Sequence, residues 1–249
     1  MIITSVSNDK IRFLRKLKDK KHRAETGLTL VEGGNAVRDL PNLVTVEYVA
    51  VTVERESEFT GAVSEKFKNA EILTVSQNVM DALSDTETPY GIIAAVRTAF
   101  APFALPTGNA LLLDGVSDAG NLGTVLRTAA ACGFDDVYLL NTADVFSPKT
   151  IRASMGAVFQ LKIRDITLNE AVKLLQKTES AALDMGGKSL FDTVFGGAVT
   201  LVLGAEAHGV SSEVLSACKY TVSLPMKRME SLNAGVAAGV AMYEVSRRA

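Results

Sequence analysis

Short apolar runs at 28–31, 43–53, 71–75 and 91–96 alternate with stretches at 8–21, 32–40, 60–69 and 76–84 in which apolar residues recur every three or four positions. The first pattern predicts strands and the second amphipathic helices, because side chains alternate across a strand and return about every 3.6 residues around a helix. After residue 97 the alternation restarts. Strands are expected at 110–116, 137–140, 157–163, 180–184, 199–203 and 220–224, and helices at 121–132, 148–153, 168–177 and 233–247. The later strands are continuously apolar, as strands covered on both faces of a mostly parallel sheet are. Two α/β units follow: a small α/β domain over residues 1–97 and a mostly parallel α/β sheet over 109–249. A linker is placed at 98–108, where Pro102 and Pro106 forbid a continuing helix or central strand.

Composition narrows the class. With 249 residues, 47% of them hydrophobic and 22% charged, the chain can bury a sizeable core, which excludes disordered and disulfide-scaffold classes. Cys132 and Cys218 lie in apolar stretches with no CxxC spacing, so they are expected as buried thiols in a reducing compartment. A secretory leader and an apolar run of about 18 residues are both missing from the sequence, so a cytoplasmic protein is expected.

Charge is uneven. Lys10, Arg12, Arg15, Lys16, Lys18, Lys20, Lys21 and Arg23 face only Asp9 and Asp19 within residues 1–23, a local +6 in a chain of net −2, which leaves −8 elsewhere. Such asymmetry points to a polyanion on the N-terminal arm; the alternative is a solvated helix face over buried Ile11, Leu14 and Leu17.

Ligands of open α/β sheets bind beyond the carboxyl ends of the strands, which directs attention to the loops after 116, 203 and 224. In the first, Asn121 is expected to cap a helix carrying Gly123 and Arg127 on one face, so that the guanidinium passes over bare backbone and leaves room for a ligand. The second holds Gly204, Glu206 and Gly209. Glu206 stands where a dinucleotide fingerprint needs its middle glycine, and its charge would repel a pyrophosphate. His208 has no partner at metal-ligand spacing. The third runs through Leu224, Pro225 and Met226 and a basic turn, Lys227 and Arg228, to Ser231, Leu232 and Asn233 ahead of a helix rich in small residues, with a plain N-cap the alternative to a functional role for Ser231. GlyGlyLysSer at 186–189 ends like a phosphate loop but has Ala182 where the first glycine belongs. Ser-His-Asp hydrolysis lacks a GxSxG elbow.

Together these segments resemble the SPOUT-superfamily RNA methyltransferases of the SpoU/TrmH-like branch. Asn121-x-Gly123 with Arg127 is similar to the first motif of that family, Gly204-x-Glu206 with Gly209 to the second, and Leu224-Pro225-Met226 with Ser231-Leu232-Asn233 to the third. The stretch 151–159, IRASMGAVF, resembles an intermediate family motif, and residues 8–38 are similar to a substrate-binding extension of ribosomal-RNA-modifying members. The turn KRME before Ser231 departs from the more neutral loop of many relatives.

The resemblance implies a trefoil knot in the C-terminal sheet, a homodimer, S-adenosylmethionine as cofactor, no metal, and methyl transfer to a ribose 2′-oxygen of RNA, ribosomal RNA before transfer RNA. It implies that Leu203, Gly204, Glu206, Gly209, Leu224, Pro225, Met226 and Leu232 hold the cofactor, and that Asn121, Arg127, Glu206, Ser231 and Asn233 line the reacting end. A guanidinium is a poor base, so Arg127 is expected to grip a phosphate and stabilise the emerging alkoxide, with Glu206 orienting it. The rivals are a dinucleotide oxidoreductase and an RNA-binding module without catalysis; against the second, Asn121, Arg127 and Asn233 are all present. Gly204→Val is expected to exclude the cofactor while leaving the fold intact, and removal of residues 1–97 to weaken RNA binding alone.

Overall fold

In the computed structural model, which describes residues 2–57 and 68–248, the chain divides into two compact units: Met1–Ala99 with Phe146–Phe159, and Phe100–Val145 with Gln160–Ala249. The helix expected at 60–69 lies almost entirely outside the described residues.

The first unit is built on a four-stranded sheet in the order β1-β4-β2-β3, with β1 Leu28–Glu32, β2 Val46–Thr52, β3 Glu71–Val75 and β4 Ile92–Arg97. Only the β2/β3 pair is parallel. Helices α1 (Asp9–Lys16), α2 (Lys20–Thr26), α3 (Gly34–Arg38) and α4 (Gln77–Leu83) accompany it. Ile11, Leu14 and Leu17 enter the core beside Leu30, Leu73 and Met80. The helix expected over 8–21 is two helices, because the Asp19 side chain accepts from the backbone N–H groups of Lys21 and His22 and starts a new one. Leu43, expected in a strand, is exposed in a turn ahead of β2.

The segment 146–159 completes this unit. Helix α6 (Pro148–Ala153) is capped by Ser147 and follows Phe146, whose carbonyl accepts from the buried Thr29 hydroxyl of β1 at 2.7 Å. Met155 and Gly156, both at positive φ, close it. The strand expected at 157–163 is instead a 3-10 turn, Ala157–Gln160, before the strand Lys162–Asp165.

The second unit is a six-stranded, wholly parallel sheet in the order β10-β8-β9-β5-β6-β7. Its strands are β5 Ala110–Asp114, β6 Asp136–Leu140, β7 Lys162–Asp165, β8 Glu179–Ser189, β9 Val199–Gly204 and β10 Tyr220–Ser223. Helices α5 (Ala119–Cys132) and α9 (Ala234–Ser246) pack on one another, as do α7 (Leu168–Lys177) and α8 (Ser212–Ala217). Every residue of β5 and β6 is buried, as the continuous apolar runs require.

The segment read as a linker carries no helix or strand but is fastened to this unit. Ala101 N–H bonds Ile163, Arg164 Nε donates to the Pro102 carbonyl at 2.9 Å, and the Tyr138 hydroxyl donates to Ala104 at 2.7 Å. Arg164 also pairs, buried, with Asp136 at 2.6 Å. Burial pushes the Tyr138 phenol up to about 12, partly countered by Arg164. Both cysteines are free and half-buried rather than fully buried.

Candidate active site

The chain runs outward from β5 through β6 to β7, then continues on the other side of β5 through β8, β9 and β10. Neighbouring strands β5 and β9 therefore send their following loops in opposite directions, which opens a crevice at their carboxyl ends. A cavity of about 420 Å³ lies there, lined by Val116 after β5, Leu183 from β8, Leu203, Gly204, Ala205, Glu206 and Gly209 after β9, and Ser231, Leu232, Asn233, Ala234 and Ala237 leading into α9. Two sequence segments about 20 residues apart thus meet at one wall.

The loop after β9 is closed on itself. Ala205 and Gly209 exchange both backbone hydrogen bonds, at 3.0 and 2.8 Å, leaving Glu206, Ala207 and His208 at an exposed tip. Gly209 has φ +67, a conformation that favours glycine. A Cβ on Gly204 would sit 2.0 Å from the Gly209 carbonyl carbon and 2.2 Å from Val210 N. The expectation for Gly204→Val is therefore corrected: the side chain would break the loop's own closure before it reached a ligand. Buried Asp114, the last residue of β5, anchors the loop's far end by accepting from Ser211 N–H at 2.7 Å.

Asn121 is not a helix cap. Asp118 caps α5 and accepts from Asn121 N–H at 2.8 Å, so the Asn121 side chain sits in the first turn and faces outward. It donates to Glu206 Oε1 and accepts at Oδ1 from Asn233 Nδ2 at 3.0 Å. Asn233, in turn, caps α9 by accepting from Val236 N–H at 3.2 Å, which removes the alternative of Ser231 as that cap. One chain of hydrogen bonds so joins the three motifs: Glu206, Asn121, Asn233.

Glu206 orients Asn121, and not Arg127 as expected. Arg127 lies exposed on α5, outside the cavity wall and without a partner among the described residues, while Gly123 is buried. Leu224, Pro225 and Met226 also lie outside that wall. Small residues on α9 serve packing: a Cβ on Gly235 would meet Thr124 at 3.1 Å and one on Gly239 would meet Thr128 at 3.7 Å. Val116, Val125, Leu183, Ala205, Ala234 and Ala237 also line the cavity, and no motif in the sequence marks them. Leu183 opens a bulge at the carboxyl end of β8, where residues 183–187 stand out between the Ala182↔Thr221 and Lys188↔Val222 pairs.

The basic arm is only partly open. Lys10 pairs with Glu71, Arg12 with Asp9 at 3.5 Å, Lys18 with Asp85 at 2.9 Å and Lys21 with Glu25 at 4.0 Å. Arg23 is buried and donates to the carbonyls of Leu17 and Lys18 at 2.9 and 2.7 Å, knitting α1 to α2, so its placement on a phosphate-facing surface is corrected. Arg15, Lys16 and Lys20 are exposed and unpaired among the described residues.

The switch point of this parallel α/β sheet, with its glycine-closed loop and asparagine-capped helix, is the place where open α/β proteins bind their ligands. Residues 108–243 match the SpoU rRNA Methylase family, and residues 8–94 the MRM3-like substrate binding domain, so the chain belongs to the SpoU rRNA methylase family. It is 31% identical over 250 residues to the 23S rRNA (guanosine(2553)-2'-O)-methyltransferase RlmP of Bacillus subtilis, covering 98% of each chain. The fold is similar to the AdoMet-bound rRNA methyltransferase from Sinorhizobium meliloti, with TM-score 0.89, 25% identity and coverage of 100% and 98%. It is also similar to the SpoU methyltransferase AviRb from Streptomyces viridochromogenes in complex with AdoMet, with TM-score 0.85, 25% identity and coverage of 97% and 98%.

Proposed function

We propose that this protein transfers a methyl group from S-adenosylmethionine to a ribose 2′-oxygen of ribosomal RNA. The observation that carries the reading is the switch-point cavity, whose floor at Gly204 admits no side chain, whose wall includes residues of the second and third family motifs, and to which Asn121 of the first is tied by its bonds to Glu206 and Asn233. The residues fit the cofactor: about 420 Å³ is within the usual range of small-molecule sites, roughly 300–1,000 Å³, and the wall mixes backbone at 204–205 with apolar Leu203, Leu232 and Leu183. When bound, the cofactor supplies a methyl carbon already activated by its sulfonium.

What remains for the chain is placement of the 2′-oxygen and stabilisation of its charge. Asn121 and Asn233, fixed through Glu206, hold the mouth of the cavity in one geometry. Arg127, exposed and unpaired, is the group for the RNA phosphate and the developing alkoxide, with the proton passing to that phosphate or to solvent. Arg15, Lys16 and Lys20 attract RNA to the first unit.

The protein is further proposed to act as a cytoplasmic homodimer; among the described residues no helix is long and apolar enough to cross a membrane. Val236, Val240 and Tyr243 recur at i, i+4 and i+7 on the outer face of α9 and remain 52%, 39% and 60% exposed, an apolar stripe suited to a second copy. Sedimentation of Val240→Asp against the parent tests it. The trefoil knot belongs to the same reading, supported by the return of the chain from edge strand β10 to place Asn233 beside Asn121.

Methyl-labelled cofactor and a ribosomal RNA transcript test the reaction. Label in an alkali-resistant dinucleotide is expected, since a 2′-O-methyl group blocks backbone cleavage by its own hydroxyl. Label on a base would overturn the assignment.

A further inference from the structure

The first unit holds a cavity of its own, of about 290 Å³, whose wall includes Gly33, Asn35, Asp39, Tyr90, Arg152 and Met155. Met155 is held at φ +50 and is nonetheless 53% exposed. A non-glycine residue in that region is uncommon, and an exposed one gains little packing to offset the strain. Tyr90 is 42% exposed, with the Arg55 guanidinium 4.8 Å from its ring centroid, so the ring is braced from outside the cavity wall.

The polar groups are unevenly used. Glu32 is consumed by the hydroxyls of Ser84 and Thr86 and by Asp85 N–H. Asp39 and Arg152 are exposed with no side-chain partner among the described residues. Asn35 accepts at Oδ1 from Arg38 Nη2 at 2.8 Å, which leaves its Nδ2 donors unused. Asn35 and Asp39 stand one turn apart and so share a face of α3.

We propose that this cavity takes one unstacked guanine base of the RNA substrate, in a unit other than that of the methyl-transfer cavity; the inference rests on RNA being the substrate. Tyr90 and Met155 offer a ring and a polarisable thioether to a planar base. The Asn35 amide donates to guanine O6, and the Asp39 carboxylate accepts from N1–H and N2–H. Adenine and cytosine each present a ring-nitrogen acceptor where the carboxylate needs a donor, and uracil offers it a single N–H. Arg152 takes the adjoining phosphate. A carboxylate would repel that phosphate, which assigns Asp39 to the base edge.

The test is fluorescence anisotropy of the full chain with nine-nucleotide oligouridines carrying one central guanosine, adenosine or cytidine. The guanosine oligomer is expected to bind about tenfold tighter or more, the scale of one good bidentate base contact. Asp39→Asn should abolish the preference, bringing the guanosine oligomer down to the affinity of plain oligouridine measured on the same variant. Arg152→Ala should weaken all oligomers alike and lower the slope of log affinity against log salt by about 0.7. Met155→Gly, which relieves the strained φ, should reduce guanosine binding without lowering Tm. Equal binding of all oligomers, no binding of the guanosine oligomer, or a preference that survives Asp39→Asn overturns the proposal. Calorimetry with S-adenosylhomocysteine on the same protein keeps the two readings apart: a retained cofactor site with no guanosine preference sinks this inference alone.

Discussion

Asn121 donates its side-chain amide to Glu206, 85 residues further along the chain, and accepts from Asn233 at the same time. This bond sets the position of the loop after β9 relative to α5. Asn121→Asp would replace the donor with a second carboxylate facing the first, losing the bond and adding like-charge repulsion. Cofactor affinity should fall tenfold or more, about 1.4 kcal/mol. Calorimetric titration at pH 8 measures this, and unchanged affinity would sink it.

Gly204→Ala adds one methyl where the Gly209 carbonyl carbon lies 2.0 Å away. Because the clash is with backbone, the Ala205–Gly209 closure must open. Loss of cofactor binding together with a lower Tm is expected; a variant that binds S-adenosylhomocysteine normally would show that the loop accommodates the methyl.

Arg127→Ala should leave Tm and cofactor affinity nearly untouched, since the side chain is exposed and unpaired. Single-turnover methylation should nevertheless slow by about 10²–10³, or roughly 2.7–4 kcal/mol, the scale of removing one charge-stabilising donor. Arg127→Lys should recover only part of the rate, because a point charge lacks the planar two-point grip.

Arg164 and Asp136 are 7% and 5% exposed, so removing one partner strands the other. Arg164→Ala should cost about 3–5 kcal/mol in urea unfolding and release the Pro102 carbonyl. Tyr138→Phe, which forfeits only the bond to Ala104, should cost about 1 kcal/mol.

Burial pushes the Cys218 thiol up to about 12, and burial also raises Cys132. A thiol raised on folding contributes stability that is complete below its unfolded value, about 8.5, and declines as pH climbs from there toward 12. Alkylation by iodoacetamide at pH 8 should be slow in the native protein and fast in urea; equal rates would place the Cys218 thiol in open solvent.

Arg15, Lys16 and Lys20, exposed and unpaired among the described residues, are expected to contribute to the salt slope of RNA binding. Replacing Arg15, Lys16 and Lys20 by alanine should reduce it by about 2, at roughly 0.7–0.9 per phosphate contact. This is a cleaner test than excising residues 1–97, because residues 146–159 belong to the same unit and would lose the core they pack on.

Local signals fixed much of this in the sequence. Helix α7 falls where its periodicity puts it, and the buried strands β5, β6 and β9 were legible as continuous apolar runs, because both faces of a parallel sheet demand apolar side chains. The three motif loops were legible for the same reason, as breaks at strand ends. Partners across long separations were not. Glu206 meeting Asn121 and not Arg127, Asn233 and not Ser231 capping α9, Arg23 turning inward, and 146–159 joining the first unit all depend on which surfaces meet after the chain has folded. A hydrogen bond spanning 85 residues leaves no periodicity in the sequence, since side-chain spacing records only what neighbours along one helix or strand share.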